Sequence, residues 1–302
     1  MQKKPLVTVV MCVYNGERYL VEQLDSVINQ SYSNFELLIL DDCSTDNSYS
    51  ILEQYRRDHS NIKLIKNEVN LGYNRNFEKG ILLSEGDLIS ICDQDDVWLP
   101  DKLEELVTNI GNAQLIYSDS ELIDSQGQPL GKKLSCSFKH LDNPDYKALL
   151  DINFMTGHTF LFRQDIKDKI LPLPDSSFYY DKWIGLVAAY IGEVKYHNCV
   201  LTKYRVHQNS VVQNDKKAEK VKGYIKNRIR AEIRDFSNLS FINPKDRHFV
   251  HNFLKNKSNA DKNLVQFMYC YIYLLKHHNL FYPWYAKSFF KKINFLRKQC
   301  MY

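Results

Sequence analysis

The chain has 302 residues, 44% of them hydrophobic and 25% charged, with a formal net charge of +4. That is the composition of an ordinary folded protein with room for a sizeable core, and the charge is too small for a nucleic-acid binder acting through the whole chain. Its seven cysteines are scattered, odd in number and never in a CxxC pair, which argues against a disulfide framework or a zinc site and fits a reducing cytoplasm.

Residues 6–13 form a continuous apolar run rich in β-branched side chains, the pattern of a strand covered on both faces. The run stops at Asn15-Gly16-Glu17 without a small-residue cleavage site, so it reads as a strand and not as a signal peptide. Residues 15–30 carry helical spacing through Tyr19, Leu20, Leu24, Val27 and Ile28. A second strand, "FELLILDD", precedes a helix over about 46–57, and "NIKLIKN" is a third strand. The helix "NRNFEKGILLS" leads to a fourth strand, "GDLISICD", and Pro100 opens a further helix. Strands alternating with helices predict βαβ units and a mostly parallel sheet. Beyond residue 113 the pattern loosens. "AQLIYSDSELID" and "TGHTFLFR" read as strands, "QGQPLGKK" as a loop, and "DKWIGLVAAYIG" as an amphipathic helix beginning at Asp181. "EVKYHNCVLTKYRVH" reads as one or two short strands, and from about 213 the chain turns to Lys, Asn, Tyr and Phe with helical spacing. No stretch approaches the ~18–20 apolar residues of a membrane-spanning helix.

In such sheets ligands bind beyond the carboxyl ends of the strands. The polar residues gather there: Tyr14-Asn15-Gly16 after the first strand, Asp41-Asp42 after the second, Asn67 and Asn70 near the third, Asp93 to Asp96 after the fourth. Turn and cap chemistry explains any one of these clusters, but less readily all of them in register. Asp93, Asp95 and Asp96 crowd together, and crowded carboxylates repel unless a cation with oxygen ligands lies among them. There is no GxGxxG after the first strand and no GxxxxGK[ST]. Phosphates would therefore be neutralised by Mg²⁺ or Mn²⁺ on Asp95 and Asp96.

Taken together, "VVMCVYNGERYLVEQLDSVINQSYSNFELLILDDCSTDNS", "NLGYNRNFEKGI" and "ICDQDDVWLPDKL" resemble the nucleotide-diphospho-sugar domain of family 2 glycosyltransferases, densely over residues 5–110. Downstream, "YYDKWIGLVAAYIGEVKYHNCVLTKYRVHQNSV" resembles the acceptor half of the bacterial rhamnosyltransferase-like branch, with Asp181-Lys182-Trp183 where that branch often has His-Asp-Trp-Trp. The resemblance implies an α/β protein of GT-A fold over 1–212, its donor half to about 112 and its acceptor half from 113, followed by a helical region over 213–302. It implies that Tyr14 and Asn15 line the base and ribose, that Asp42 accepts from a pyrimidine N–H, that Arg75 lies beside the base, and that Asp93 lies near the ribose hydroxyls. Asp95 and Asp96 would hold the metal and through it the diphosphate, with His207 a further ligand. Asp181 would be the general base of an inverting transfer. Gly157, His158, Trp183 and Asp119 would lie on the acceptor side. Blander roles compete: Asp181 as a helix cap, Trp183 as core, Arg75 as a solvated helix residue.

The implied donor is a UDP- or dTDP-linked sugar, and the implied acceptor a lipid-linked saccharide in capsule, O-antigen or other bacterial surface polysaccharide synthesis. The tail "FMYCYIYLLKHHNLFYPWYAKSFFKKINFLRKQ" mixes aromatic and basic residues, as in helices that lie on an anionic membrane. The expectation is a cytoplasmic protein, peripheral on the inner membrane face, with a helical bundle whose one side meets the lipid. Two rivals stand beside this. "LISICDQDDVW" fits the nucleophile strand of a haloacid-dehalogenase-type phosphatase, although that strand usually comes first in its domain and here three strand–helix units precede it. The other rival is an inactive carbohydrate-binding scaffold.

Overall fold

The computed structural model describes residues 4–136, 139–177, 179–207, 222–260, 262–283, 285 and 289–301. The boundary expected near residue 213 lies outside them, as do Trp284 and Lys287 of the tail. By internal packing the chain divides into two units. The first takes in residues up to 144 together with 154–173 and 179–210; the second takes in 145–153, 174–178 and 211–302.

The first unit is built on one sheet. Its strands are β1 (Val7–Val13), β2 (Phe35–Asp41), β3 (Ile62–Lys66), β4 (Leu88–Cys92), β5 (Val97–Trp98), β6 (Leu115–Ile123), β7 (Pro129–Lys133), β8 (Phe160–Arg163) and β9 (Val194–Arg205). The spatial order is β3-β2-β1-β4-β8-β6-β9-β5, with β7 on β6. The first four strands pair in parallel, Val7 opposite both Phe35 and Leu88. Antiparallel β8 joins this half to β6, which runs parallel to β9. Helices α1 (Glu17–Ile28), α2 (Ser48–Asp58), α3 (Tyr73–Leu83) and α4 (Lys102–Asn109) connect the early strands. The short helix α5 (Lys167–Ile170) and α6 (Tyr180–Ile191) follow β8. The apolar stripe of α1, Leu20, Leu24 and Val27, is fully buried in one cluster with Val9, Met11, Leu37 and Ile39. Gly80 of α3 is forced by this packing, since a Cβ there would sit 2.4 Å from Val10 Cγ1.

Three expectations are corrected. Residues 129–133, read as loop, form β7. All five residues are exposed, so no apolar alternation marked the strand, and its pairing with β6 supplies the order. Residues 157–159, read as the start of a strand, make a 3₁₀ turn before β8. α6 is buried on nearly every side from Tyr180 to Ala188 and is not amphipathic in the sense expected.

The second unit is helical: α7 (Lys222–Asn238), α8 (Pro244–Asn259), α9 (Leu264–Lys276), α10 (His278–Phe281) and α11 (Phe289–Met301). Ile233, Phe236, Val250, Phe253, Cys270, Leu274, Phe281 and Leu296 are buried. Segment 145–153 is tied in by a buried ion pair, Lys257 Nζ to Asp151 Oδ2 at 2.9 Å, and by Tyr146 donating to Asp246 at 2.9 Å. No helix of the described residues is long and apolar enough to cross a membrane.

Candidate active site

β4 is buried along its whole length and ends at Cys92, so Asp93, Gln94, Asp95 and Asp96 form the turn that carries the chain into β5. The end of β9 locks that turn. The Arg205 backbone N–H donates to Asp96 Oδ1 at 3.0 Å, and its Nε–H donates to the Asp95 carbonyl at 2.8 Å. The guanidinium itself is buried, pairs with Glu22 at 2.6 Å and lies over the Tyr19 ring. It therefore serves the scaffold. Gln94 turns the other way and grips Tyr14, accepting from its backbone N–H at 2.8 Å and donating to its carbonyl at 3.2 Å. Gln94 also explains Gly16, where a Cβ would meet Gln94 Oε1 at 2.6 Å.

Asp96 is fully buried, and its Oδ2 finds no hydrogen-bond partner among the described residues. His158 Nδ1 stands 3.7 Å from that oxygen and 3.7 Å from Asp93 Oδ2. The donor atoms of Asp93, Asp96 and His158 all lie within 4.8 Å of one another. The His158 ring stacks on Tyr204 at 4.7 Å, and its Nε2 meets Ser120 Oγ at 2.9 Å. Next to this group, His207 Nε2 and Asp95 Oδ2 are 2.7 Å apart.

The electrostatics are those of crowded, desolvated acids. Burial, with repulsion from Asp95 and Asp181, pushes Asp93 up to about 7. Asp96 is held well above the ordinary carboxylate range by burial first and then by Asp95 and Asp93. Burial, aided by Lys102, pulls His158 well below its usual value, so the imidazole is neutral and its lone pair is available to a metal. Lys102 lies entirely buried beneath the acids, its ammonium over the Trp98 ring at 3.6 Å and bonded to the His158 carbonyl and Thr202 Oγ1. Burial brings it down to about 7. Sequence reasoning passed over this residue. Its signal was a lysine in the first turn of the helix that follows DQDDVW.

A partnerless buried carboxylate oxygen beside a second acid and a neutral imidazole is a donor set that suits a divalent cation. The residues present fit the metal.

Across the sheet edge, Asp181 sits in the first turn of α6, one residue inside its start. The cap position is Tyr179, so Asp181 is not the cap. Its Oδ2 accepts from Gly157 N at 3.1 Å and its Oδ1 from Lys182 N at 2.7 Å. Its charge acts on both Asp93 and Tyr204, which brings it to the same cluster. Asp42 is buried and accepts from Asn67 Nδ2 at 2.8 Å, Leu71 N at 2.8 Å and Gly72 N at 2.9 Å. A carboxylate offers about four acceptor sites, which leaves one for a ligand. Asn15 adopts φ +49°, which Asn tolerates, and its Oδ1 accepts from Thr45 N at 2.8 Å.

Residues 8–171, more than half of the chain, match the family model described as Glycosyl transferase family 2. The chain belongs to that family. It is 28% identical over 221 residues to the putative teichuronic acid biosynthesis glycosyltransferase TuaG of Bacillus subtilis, which spans 72% of this chain and 85% of the relative. It is 29% identical over 217 residues to the UDP-Glc:alpha-D-GlcNAc-diphosphoundecaprenol beta-1,3-glucosyltransferase WfgD of Escherichia coli, covering 69% and 80%. A crystal structure of S. aureus TarS 1–349 in complex with UDP superposes with a TM-score of 0.58 at 20% identity, covering 83% of this chain and 71% of that one. At that identity the likeness carries the fold alone. The fold is GT-A, and the phosphatase reading is set aside.

The remaining expected site residues of this glycosyltransferase divide. Gly157 is beside Asp181, as described. His158, expected on the acceptor side, is instead 1% exposed and packed among the acids. Trp183 is 2% exposed and donates its indole N–H to the Ile170 carbonyl at 2.9 Å, which places it in the core. The pairing of β6 with β9 is irregular at Asp119, and it is Ser120 that meets His158. Asp119 instead accepts from Ser120 N at 2.8 Å, Ser135 N at 3.1 Å and Ser135 Oγ at 2.5 Å, with His140 Nε2 at 3.4 Å. It pins the segment after β7. Arg75 pairs with Glu78 and donates to the Leu173 carbonyl at 2.9 Å. The expected metal ligands are split, Asp95 meeting His207 while Asp96 meets Asp93 and His158.

Proposed function

We propose that this family 2 glycosyltransferase moves a sugar, with inversion, from a UDP- or dTDP-linked donor to a lipid-linked saccharide in bacterial surface polysaccharide synthesis. The observation that carries the reading is the meeting of Asp93, Asp95, Asp96, His158, His207 and Asp181 at one edge of the sheet. Tyr14, Asn15 and Asp42 line the neighbouring strand ends, where a pyrimidine nucleotide would lie. The names of TuaG and WfgD support a surface polysaccharide, and the diphosphoundecaprenol in the latter supports a lipid-linked acceptor. The Tyr204-Arg205-Val206-His207 segment supports the rhamnosyltransferase-like branch, so dTDP-rhamnose belongs among the donors tested.

Asp95 and His207 would hold Mn²⁺ or Mg²⁺, since their donor atoms already converge at 2.7 Å and both are partly exposed. A second ligand set, Asp93, Asp96 and His158, is favoured by the partnerless Asp96 oxygen. Bound there, the cation would neutralise charge on the departing diphosphate. Asp181 takes the proton from the acceptor hydroxyl. Its carboxylate is held by two backbone N–H groups, which orient it.

The test is release of nucleoside diphosphate from a panel of nucleotide sugars with Mn²⁺ and a lipid-linked saccharide analogue. Asp181→Asn should lower turnover by about a hundredfold or more with donor binding retained. Calorimetric titration of Mn²⁺ with UDP separates the two ligand sets: Asp95→Asn and His207→Ala abolish binding in the first, His158→Ala in the second. Full turnover in the presence of a chelator would sink the metal reading. Inorganic phosphate released from simple esters would sink the transferase reading.

A further inference from the structure

Helix α9, Leu264–Lys276, is apolar on two sides. Cys270 and Leu274 are fully buried and fill the core of the second unit. On other turns, Leu264 is 76% exposed, Val265 61%, Met268 45%, Tyr269 62% and Ile272 44%. The spacing i, i+1, i+4, i+5, i+8 puts these side chains on one stripe of the helix, and Leu280 just beyond it is exposed as well. Single exposed apolar residues are ordinary, but a continuous stripe of them marks a surface meant to be covered.

Charge indicates what covers it. From Lys262 to the end of the chain there are seven Lys and Arg and no Asp or Glu, although the whole chain carries only +4. Lys262 and Lys276 bracket α9 and are exposed, as are Lys291, Arg297 and Lys298 on α11, which packs beside it. A second copy of the chain would bring two such acid-free basic segments together, with repulsion and no counter-charge in either. An anionic bilayer offers the opposite: phosphates for the Lys and Arg side chains, and an acyl boundary for Leu, Val, Met, Tyr and Ile. From these features we infer that the bare stripe of α9, within its basic surround, docks the protein on an anionic lipid surface. This adds a partner to the function proposed above, and it is measured without donor or acceptor, so either can fail alone.

The full chain is sedimented with vesicles of equal parts phosphatidylglycerol and phosphatidylcholine, and with phosphatidylcholine alone. Binding is expected to the anionic vesicles only, and to weaken steeply as NaCl rises from ~0.05 M to ~0.5 M. Replacing Lys262, Lys276 and Arg297 by Gln should weaken it on the order of a hundredfold. Val265→Gln, Met268→Gln and Ile272→Gln together should abolish it while the circular dichroism, the melting temperature and nucleotide-sugar turnover stay unchanged. Should the triple variant fold poorly, Tyr269→Gln alone, at an exposed position, should still weaken binding severalfold. Indifference of the wild-type protein to anionic vesicles at low salt would overturn the inference. So would undiminished binding by the folded stripe variants, or a concentration-dependent dimer that those substitutions dissolve, since the face would then belong to a second copy.

Discussion

Gly157 occupies a place that no larger residue fits. A Cβ there would lie 2.3 Å from the Tyr180 hydroxyl oxygen, while the Gly157 N–H holds Asp181. Gly157→Ala should therefore displace Tyr180, whose ring is wedged against Phe77, and cost about 1–3 kcal/mol by overpacking. It should also lower turnover by loosening Asp181. Adding Tyr180→Phe removes the clashing oxygen and should recover part of the stability, measured by urea unfolding. No recovery would mean that the clash is relieved elsewhere. Asp119 allows a different test at the same scale. Burial opposes its charge, but the bonds from His140, Ser135 and Ser120 outweigh this and hold it down at about 2. A carboxylate depressed on folding contributes stability above its unfolded pKa of about 3.9, and that stability is lost as pH falls from about 4 towards 2. The contribution is about 2–3 kcal/mol. Melting curves from pH 6 to pH 2.5 should show the wild type losing more stability than Asp119→Asn, and parallel losses would refute the assignment.

At the scale of elements, α8 and the segment 145–153 depend on one another through Lys257 and Asp151. Lys257 Nζ also donates to the Gln299 carbonyl at 2.6 Å, and Tyr282 donates to the same carboxylate. Both charged side chains are nearly sealed from water, so removing one strands the other. Lys257→Met should cost about 3–5 kcal/mol, and the double change with Asp151→Leu should restore much of it. A single variant as stable as wild type in denaturant titration would show that the pair is already solvated. The role of β9 is also legible at this scale. One strand pairs with β6, carries β5 at its edge, and delivers Tyr204, Arg205 and His207 to the acid turn.

For the whole molecule, the division into two units predicts how ligand and heat interact. The acids, both histidines and Asp181 all belong to the first unit. UDP with Mn²⁺ at about a hundred times its Kd should stabilise that unit by about 2.7 kcal/mol, which is a shift of several degrees in its melting temperature. If calorimetry resolves two transitions, only one should move, and a chelator should abolish the shift. An equal shift with UDP and no metal would argue against a cation at the acid turn.

The amino-acid pattern alone determined the parallel half of the sheet and the place of the acids. Those features depend on local signals: apolar runs of strand length, helical spacing between them, and polar residues where strands stop. The same signals exposed Asp42 and Asp95 as candidates, while Asp181 and His207 entered through the resemblance to family 2 glycosyltransferases. What only the tertiary structure decided are pairings between residues far apart in the chain. β7 has no apolar face and becomes a strand because β6 offers its edge. His158, expected on the acceptor side, meets Ser120, Tyr204 and Asp96 only in the folded chain, and Lys102, which carried no expectation, is enclosed with them. The burial of Trp183 and the hydrogen bonds of Asp119 were hidden for the same reason: they are properties of contacts, and a strand or helix period says which face a residue is on without saying what lies opposite.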